Sequence, residues 1–542
     1  MQSASNDRSA IKPKPSGGQG TASDASAAAN AAITYAKAQG GAIIVSRGTY
    51  TMNGGSINGT SAAKGGAVYV ASGATFILKG GTIANCNAES GGAIYVQAGG
   101  HVILDNATIA SCNATATHGG AVYLEANATL SISGGEISHC SAASSGGAIY
   151  VPVSSNFNIS KVTIDYCTSK NYGGAIYSYG NFSCSSCNIS NCTSNQGGAI
   201  YGQNFGVYQS TIQYCDASDM GGGICVYDEG SVSIEHTTIK NCTATNYGGG
   251  IHCDEFNMSV ALNYVDITDC TCSESGGGLN CYGYNTVALS WCNILRNSAK
   301  HGGGVCFDRA SASLIDTEIN YNSSTNVGGG LYSTSSTISI YSNDKYCTVS
   351  NNTSVYAGGG IYMSYNSMLQ SNNLQVLNNV VDIAGYEDTA PIANSACGGG
   401  IFCDDSTINI KSGKVEANKI NADKATKCYV YAKGGGIYSK SSKLILEKVD
   451  ITANICNGGW TVNGLAGGYS GGSICFSAGG YAIILGGKIG NSVNNGEDGG
   501  REELDIVHTE VGTYIPPTTL IPESVWDSWG LGTWDYEPAL KQ

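Results

Sequence analysis

A chain of 542 residues with 77 glycines, 8 prolines and only 12% charged side chains is long enough for a continuous core, and one elongated domain is expected rather than a string of conventional ones. A net charge of −14 with no Lys or Arg cluster argues against nucleic acid and against anionic membrane surfaces as partners. No apolar run reaches the length of a membrane-spanning helix, so no membrane insertion is expected.

The first twenty residues lack the hydrophobic stretch of a signal peptide, and 1–21 reads as a flexible arm. The expectation is a mature fragment, or a chain that leaves its cell outside the general secretory route as a virion component does. Ser23 or Asp24 then caps an Ala-rich helix, Gly40 and Gly41 stop it, and Ala42 to Val45 begin a sheet. This helix and a first coil fill 22–64, the helix plugging the open apolar end of whatever follows.

From residue 65 a pair of glycines, a small residue and an aliphatic recur fifteen times. The first glycines fall at 65, 91, 119, 146, 173, 197, 221, 248, 276, 302, 328, 358, 398, 434 and 471. Steps of 24 to 30 residues give way to steps of 36 to 40 after residue 358. Self-similarity at this period marks a solenoid, here over 65–498. The aliphatic (Val68, Ile94, Val122, Ile149) points inward, and the next residue is usually aromatic, the alternation of a half-buried strand.

A second signature closes each unit, an aliphatic followed three residues on by Cys or Asn. Cys86, Cys112, Cys140, Cys167, Cys192, Cys215, Cys242 and Cys270 come first, then Asn297, Asn322, Asn352, Asn379, Asn418 and Asn454. A position that takes either residue just before the glycine pair reads as an inward turn in a stacked ladder. With a further β-rich run between, as at Ala74 to Leu78, each unit holds about three short strands joined by Gly, Ser and Asn turns. The fold class expected is all-β, a right-handed parallel β-helix of about fifteen or more coils. At about 4.8 Å per coil it makes a rod on the order of 70 Å long.

The Gly-Gly-Ala-Ile units alternating with aliphatic-x-x-Asn resemble the passenger repeats of chlamydial polymorphic outer membrane proteins over about residues 65 to 480. Those repeats pair a GGA[ILV] motif with FxxN. Here Ile or Val replaces the Phe, Cys replaces the Asn in eight units, and no series of amphipathic barrel strands follows residue 480, so secretion through its own barrel is not expected. Residues 23 to 50 resemble the opening of pectate-lyase-like β-helices in phage tailspikes and polysaccharide-degrading enzymes, with Ser46 where that pattern has Pro. The second resemblance implies homotrimers among its relatives and, for lyases of this fold, a carboxylate-bound calcium with an Arg or Lys base.

The 22 cysteines read first as buried thiols that pack as small apolar residues, although neighbours one coil apart are within disulfide reach. Cys184, Cys187 and Cys192 imitate a metal knuckle without a fourth ligand. Sequons at Asn106, Asn113, Asn127, Asn158, Asn181, Asn241 and Asn257 follow from turns rich in Asn, Ser and Thr, and are acceptors only in a eukaryotic secretory pathway.

Two surfaces carry the functional candidates. Tyr69, Tyr95, Tyr123, Tyr150, Tyr177 and Tyr201 form an outward column, a structural ladder that also offers flat platforms to sugars or protein partners. The column breaks at Cys225, His252, Asn280 and Cys306, where acidic residues follow the first strand: Asp228 and Glu229, Asp254 and Glu255, and Asp308 beside Arg309, with Asp404 and Asp405 further on. Paired carboxylates there would serve glycoside hydrolysis or hold Ca²⁺, with Arg309 the base implied by the lyase resemblance; against this, acidic turns are usually only solvated, and no cofactor is otherwise expected.

Late in the chain the units gain about ten residues, as at Gly385 to Pro391, Ala425 to Lys427 and Gly458 to Trp460, which read as projecting recognition loops. The segment 499–542, with Trp526, Trp529 and Trp534, reads as a cap or as a docking segment for a partner or a second copy. The sequence therefore leads to a non-catalytic extracellular, cell-surface or virion-surface adhesin that presents a rigid rod to a cell-surface glycan or protein. A tailspike-like polysaccharide depolymerase and a structural filament or surface-layer subunit are the alternatives.

Overall fold

A computed structural model describes residues 41–254, 257–343, 346–383, 394–422, 430–457, 469–470, 472–477, 481–490, 493–495 and 506–509. The arm at 1–21, the helix expected before Gly40, Glu255, the loops at 385–391, 425–427 and 458–460, and Trp526, Trp529 and Trp534 lie outside these residues. The chain is an all-β, right-handed parallel β-helix, and every described regular element is a strand. It divides into two compact units, residues 1–266 and 267–542.

Most coils contain four short strands rather than three. In the coil that opens at Gly146 they are Ile149–Val151, Asn156–Ser160, Thr163–Asp165 and Thr168–Ser169. The second and third belong to one sheet bent at a left-handed residue, here Lys161 with φ 56°. In two coils that bend stays inside one strand, His101–Ala110 and Thr129–Ser138. The extra strand is the last, Thr168–Ser169 in this coil, which follows the ladder cysteine and at two residues is too short a run to show a period.

Successive coils pair in register. In the first unit Val68, Ile94, Val122, Ile149, Ile176, Ile200, Ile224 and Ile251 are consecutive Cα partners. In the second, Leu279, Val305, Leu331, Ile361, Ile401, Ile437, Ile474 and Ile506 do the same. Two further pairings lie at the ends of the repeat. Ile43–Val45 pairs with Val68–Val70, so Gly40-Gly41-Ala42-Ile43 is itself a repeat motif. Ile506–Thr509 pairs with Ile474–Ser477, past residue 498.

The two motif glycines have different duties. Gly91 holds φ at 62°, a left-handed turn that a side chain disfavours. At Gly92 a Cβ would lie 2.2 Å from the carbonyl oxygen of Gly120, because the backbones of adjacent coils meet there. The longer late coils use part of their extra length for a further parallel sheet, Asn394–Cys397, Val430–Lys433 and Tyr469–Ser470. Beneath it Val381, Ile383, Ala396, Ile420, Ala432 and Cys456 make a small separate core.

The inward Cys/Asn position is a ladder of two chemistries. In the first unit Cys86, Cys112, Cys140, Cys167, Cys192, Cys215 and Cys242 are buried thiols. Each donates locally, as Cys112 Sγ does to the Ala110 carbonyl at 3.3 Å. Its thiol neighbour Cys140, more than burial, pushes the Cys112 pKa up to about 12, so it stays protonated. Cys184 and Cys187 lie near each other, but Cys192 belongs to the column of Cys167 and Cys215, which leaves the apparent metal knuckle unassembled.

In the second unit the ladder becomes an amide chain. The Oδ1 of Asn352 accepts from the backbone N–H of Asn322 at 2.8 Å and from its Nδ2 at 3.0 Å. Asn352 Nδ2 in turn donates to the Ile319 carbonyl at 2.8 Å and to Asn379 Oδ1 at 2.9 Å. Asn297, Asn322, Asn352, Asn379, Asn418 and Asn454 are at most 1% exposed, so this pairing removes a penalty of about 1–3 kcal/mol for each group otherwise orphaned.

Ladder residue and glycine motif vary together. The third motif residue is Ala67, Ala93, Ala121, Ala148, Ala175 or Ala199 only in coils whose ladder residue is Cys. It is Gly278, Gly304, Gly330, Gly360, Gly400 or Gly436 in the Asn coils, where an added Cβ would stand 2.8 to 2.9 Å from the Asn amide. Gly223 and Gly250 accompany Cys242 and Cys270, so glycine tolerates either partner and alanine only the smaller one. Gly330→Ala should therefore cost about 1–3 kcal/mol through overpacking. Adding Asn352→Cys should recover about 1 kcal/mol or more of that cost in a denaturation double-mutant cycle; strict additivity would refute the volume coupling.

Candidate functional site

The second residue of each first strand faces out of the coil. Tyr69, Tyr95, Tyr123, Tyr150, Tyr177 and Tyr201 stack with centroids 4.9 to 5.6 Å apart and planes within 9°. In-register pairing imposes this, at roughly 0.5–1.5 kcal/mol for each ring pair. Their openness is less than the sequence implied. Tyr95, Tyr177 and Tyr201 are 3%, 7% and 4% exposed, and the other three are half-buried. The cover comes from side chains on turns: His118 lies 4.3 Å over Tyr150, Tyr172 is 4.7 Å from Tyr201, and Tyr179 meets Tyr177 edge-on at 5.2 Å. Burial pushes the Tyr150 hydroxyl up to about 12, so it is a neutral donor at physiological pH.

Cys225 and His252, both buried, interrupt the ladder in the first unit. In the second unit a shorter ladder forms from Tyr332, Tyr362, Phe402 and Tyr438, with centroids 4.7 to 5.3 Å apart.

Three residues on neighbouring coils converge beside the first ladder. Lys64 Nζ donates to the Tyr95 hydroxyl at 2.9 Å and lies 4.5 Å from that ring's centre. The Tyr95 hydroxyl donates to Glu125, whose other oxygen accepts from the Ala98 N–H at 3.0 Å. Lys64 and Glu125 also pair at 3.6 Å. Burial raises the Glu125 carboxyl, but the Tyr95 hydroxyl, the Ala98 N–H and Lys64 together outweigh it and hold the pKa below its usual value. This cluster was not legible in sequence, because Lys64 precedes one motif and Glu125 follows another. What it does chemically is fix a carboxylate over a phenol and clamp three coils together.

Asp308 and Asp404 do not form a pair, and Asp228 and Asp254 have local contacts of their own. Asp228 sits at a left-handed turn, φ 67°, and its Oδ1 accepts from the Glu229 N–H at 2.9 Å. Asp254 Oδ1 is 3.9 Å from His252 Nε2. In the second unit Asp308 pairs with Arg309 at 3.2 Å, and the Arg309 guanidinium lies 4.4 Å from the centre of the Tyr282 ring. Asp404 pairs with Lys440 at 2.8 Å, and Asp405 takes a left-handed turn with φ 46°.

The residues in register with Asp308 are Tyr282 and Thr334, and Ser364 follows Thr334. Three coil steps of about 4.8 Å put Asp404 about 14 Å from Asp308 along the stack. Glycosidase carboxylates need roughly 5 to 9.5 Å. Among the described residues no three His, Cys, Asp or Glu side chains lie together as a metal-binding group.

Several rings outside the ladder are more exposed, among them Tyr284, Tyr321 and Tyr365. Tyr166 and Tyr214 are 52% and 55% exposed at the turn before the thiol ladder. Their signal was present: Tyr precedes the ladder cysteine in Ile164-Asp165-Tyr166-Cys167 and Ile212-Gln213-Tyr214-Cys215, where Asn85, Ser111, Asn191 and Asn241 stand in other units. A shallow groove of about 430 Å³ also crosses the second strands, between the columns Thr75, His101, Thr129, Asn156 and Ile103, Ser131, Asn158.

Residues 105–265 match the protein family described as the right-handed beta helix region. No curated protein matches the chain. The family match lies within the first unit and agrees with its coils. It adds nothing specific to the polymorphic outer membrane protein or tailspike resemblances, and a fold of this kind does not fix an activity.

The Lys64–Tyr95–Glu125 clamp gives a pH test. Because the Glu125 pKa is lowered from 4.5, its stabilisation is present above that value and is lost as pH falls through the lowered one. Glu125→Gln should flatten this acid-side part of the stability profile in chemical denaturation, and Tyr95→Phe should shift it toward ordinary carboxylate behaviour. An unchanged profile in both variants would show that the clamp is not formed in solution.

Proposed function

We propose that this protein is a non-catalytic extracellular or virion-surface recognition rod that displays repeated side chains to a cell-surface glycan or protein. The observation that carries the reading is the register of the coils. Any outward residue type that recurs in the repeat becomes a column with one element per coil, as the tyrosine ladder illustrates, and such columns suit ligands that themselves repeat. The ion-paired state of Asp308 and Asp404, and their separation, favour display over polysaccharide cleavage.

The test is a glycan and polysaccharide panel read for retention and for released reducing or unsaturated ends in the same wells. Retention without product is expected, unchanged in Asp308→Asn. Release of product that disappears in Asp254→Asn or Asp308→Asn would replace this reading with a depolymerase. Silence on the panel, with concentration-dependent polymerisation of the protein, would replace it with a structural subunit.

A further inference from the structure

The thiols of the first-unit ladder repeat one geometry. Cys112, Cys140, Cys167, Cys215 and Cys242 each donate to the carbonyl two residues earlier at 3.3 to 3.4 Å. Each also lies 3.8 to 4.0 Å from the carbonyl of the aliphatic one coil before, Ile83 for Cys112 and Ile212 for Cys242. Sulfurs set alike on coils in register repeat at the coil spacing, about 4.8 Å. A disulfide bond of about 2 Å would have to draw two coils far out of that spacing, so the column is a poor disulfide former.

The thiol protons are spare. The Ala110 carbonyl that Cys112 uses already accepts from the Asn85 N–H at 3.0 Å. The carbonyls of Ser138, Asp165, Gln213 and Lys240 likewise accept from the N–H groups of Ser111, His139, Asn191 and Tyr214 at 2.9 to 3.2 Å. A ladder thiol therefore loses its proton without orphaning a carbonyl. What a bare thiolate costs here is its buried charge, which a cation on the sulfur removes.

The spacing selects the cation. Two thiolate bonds of about 2.3 Å set in line span about 4.6 Å, nearly the coil repeat of about 4.8 Å. That is the linear, two-coordinate geometry of soft ions with a filled d shell, and thiolates favour soft ions. Zn²⁺ asks for four ligands, and no three lie together among the described residues. Charge then chooses among the soft ions: a monovalent ion between two thiolates buries a negative charge, whereas a divalent one leaves the core neutral.

We infer that the thiol ladder of the first unit is a binding site for soft, linearly coordinating divalent ions of the Hg²⁺ class, each held between the sulfurs of two neighbouring coils. Two S–H bonds break, two S–Hg bonds form and two protons leave to solvent, with nothing oxidised or reduced. A second divalent ion on the same sulfur would bury positive charge, so ions fill alternate gaps. The seven thiols from Cys86 to Cys242 then hold three ions. This site is independent of the display reading.

The test equilibrates the full chain with HgCl₂ against excess glutathione, which competes for isolated cysteines, and then removes the unbound ion. X-ray absorption should show two sulfurs at about 2.3 Å and no further ligand. Two protons should be released for each ion, and the thermal midpoint should rise, because the ion binds the folded ladder. Cys167→Ala divides seven thiols into two rows of three and should hold one ion fewer. Cys347→Ala, which removes a buried thiol in register with Leu374, should hold as many as the unsubstituted chain. Three or four sulfurs around the ion, a lowered midpoint, or equal uptake by the two variants would overturn the site. The absorption measurement on the unsubstituted chain decides the matter even if Cys167→Ala does not fold.

Discussion

Adjacent coils touch backbone to backbone at the glycine pair, and the remaining architecture depends on that contact. Gly92 donates to the Gly119 carbonyl at 3.0 Å, and the next coil repeats the bond from Gly120 to Gly146 at 3.1 Å. No side chain fits between them. Because the contact recurs in each coil, register cannot drift, and a one-residue slip would exchange every inward side chain for an outward one. Like residues then stack on like: Phe157 on Phe182 on Phe205 inside, tyrosine on tyrosine outside.

The inward ladder shows how such a stack tolerates polarity in its core. A buried amide is costly alone, yet in a column each Asn meets both donors and acceptors of its neighbours. The first unit solves the same position with thiols, which need less pairing and leave room for an alanine in the glycine motif. Exchange of the two solutions is thus a matter of volume as much as hydrogen bonding, and it is decided coil by coil. The constraint is local, as expected for a solenoid whose units contact only their neighbours.

Much of the fold was legible because the repeat is long and regular. The glycine pair, the inward aliphatic and the Cys/Asn ladder were all visible in sequence, and so was the stacking of Tyr69 to Tyr201. The fourth strand was not, since an element as short as Thr168–Ser169 shows no period. Exposure was the least legible property. Whether Tyr95 is open depends on what Lys64 and Glu125 do from other coils, and Tyr150 on His118, and these lie about one period away. Conversely, Tyr166 and Tyr214 looked like ordinary turn residues until their left-handed backbone and exposure were known. The carboxylates were correctly seen to recur, but recurrence at Asp308 and Asp404 did not mean adjacency.

Each unit has a repeating scaffold on which surface columns can change without disturbing the core, and that is the physical basis for the display reading. The central claim is that the glycine contact holds neighbouring coils in register. Native-state hydrogen exchange on Gly174→Ala tests it most directly, because the added methyl would sit 2.1 Å from the Gly198 carbonyl oxygen. Amide protection should be lost in Ile176–Ser178 and Ile200–Gly202, with Val68–Val70 unaffected several coils away. Unchanged protection in the two flanking strands would contradict it.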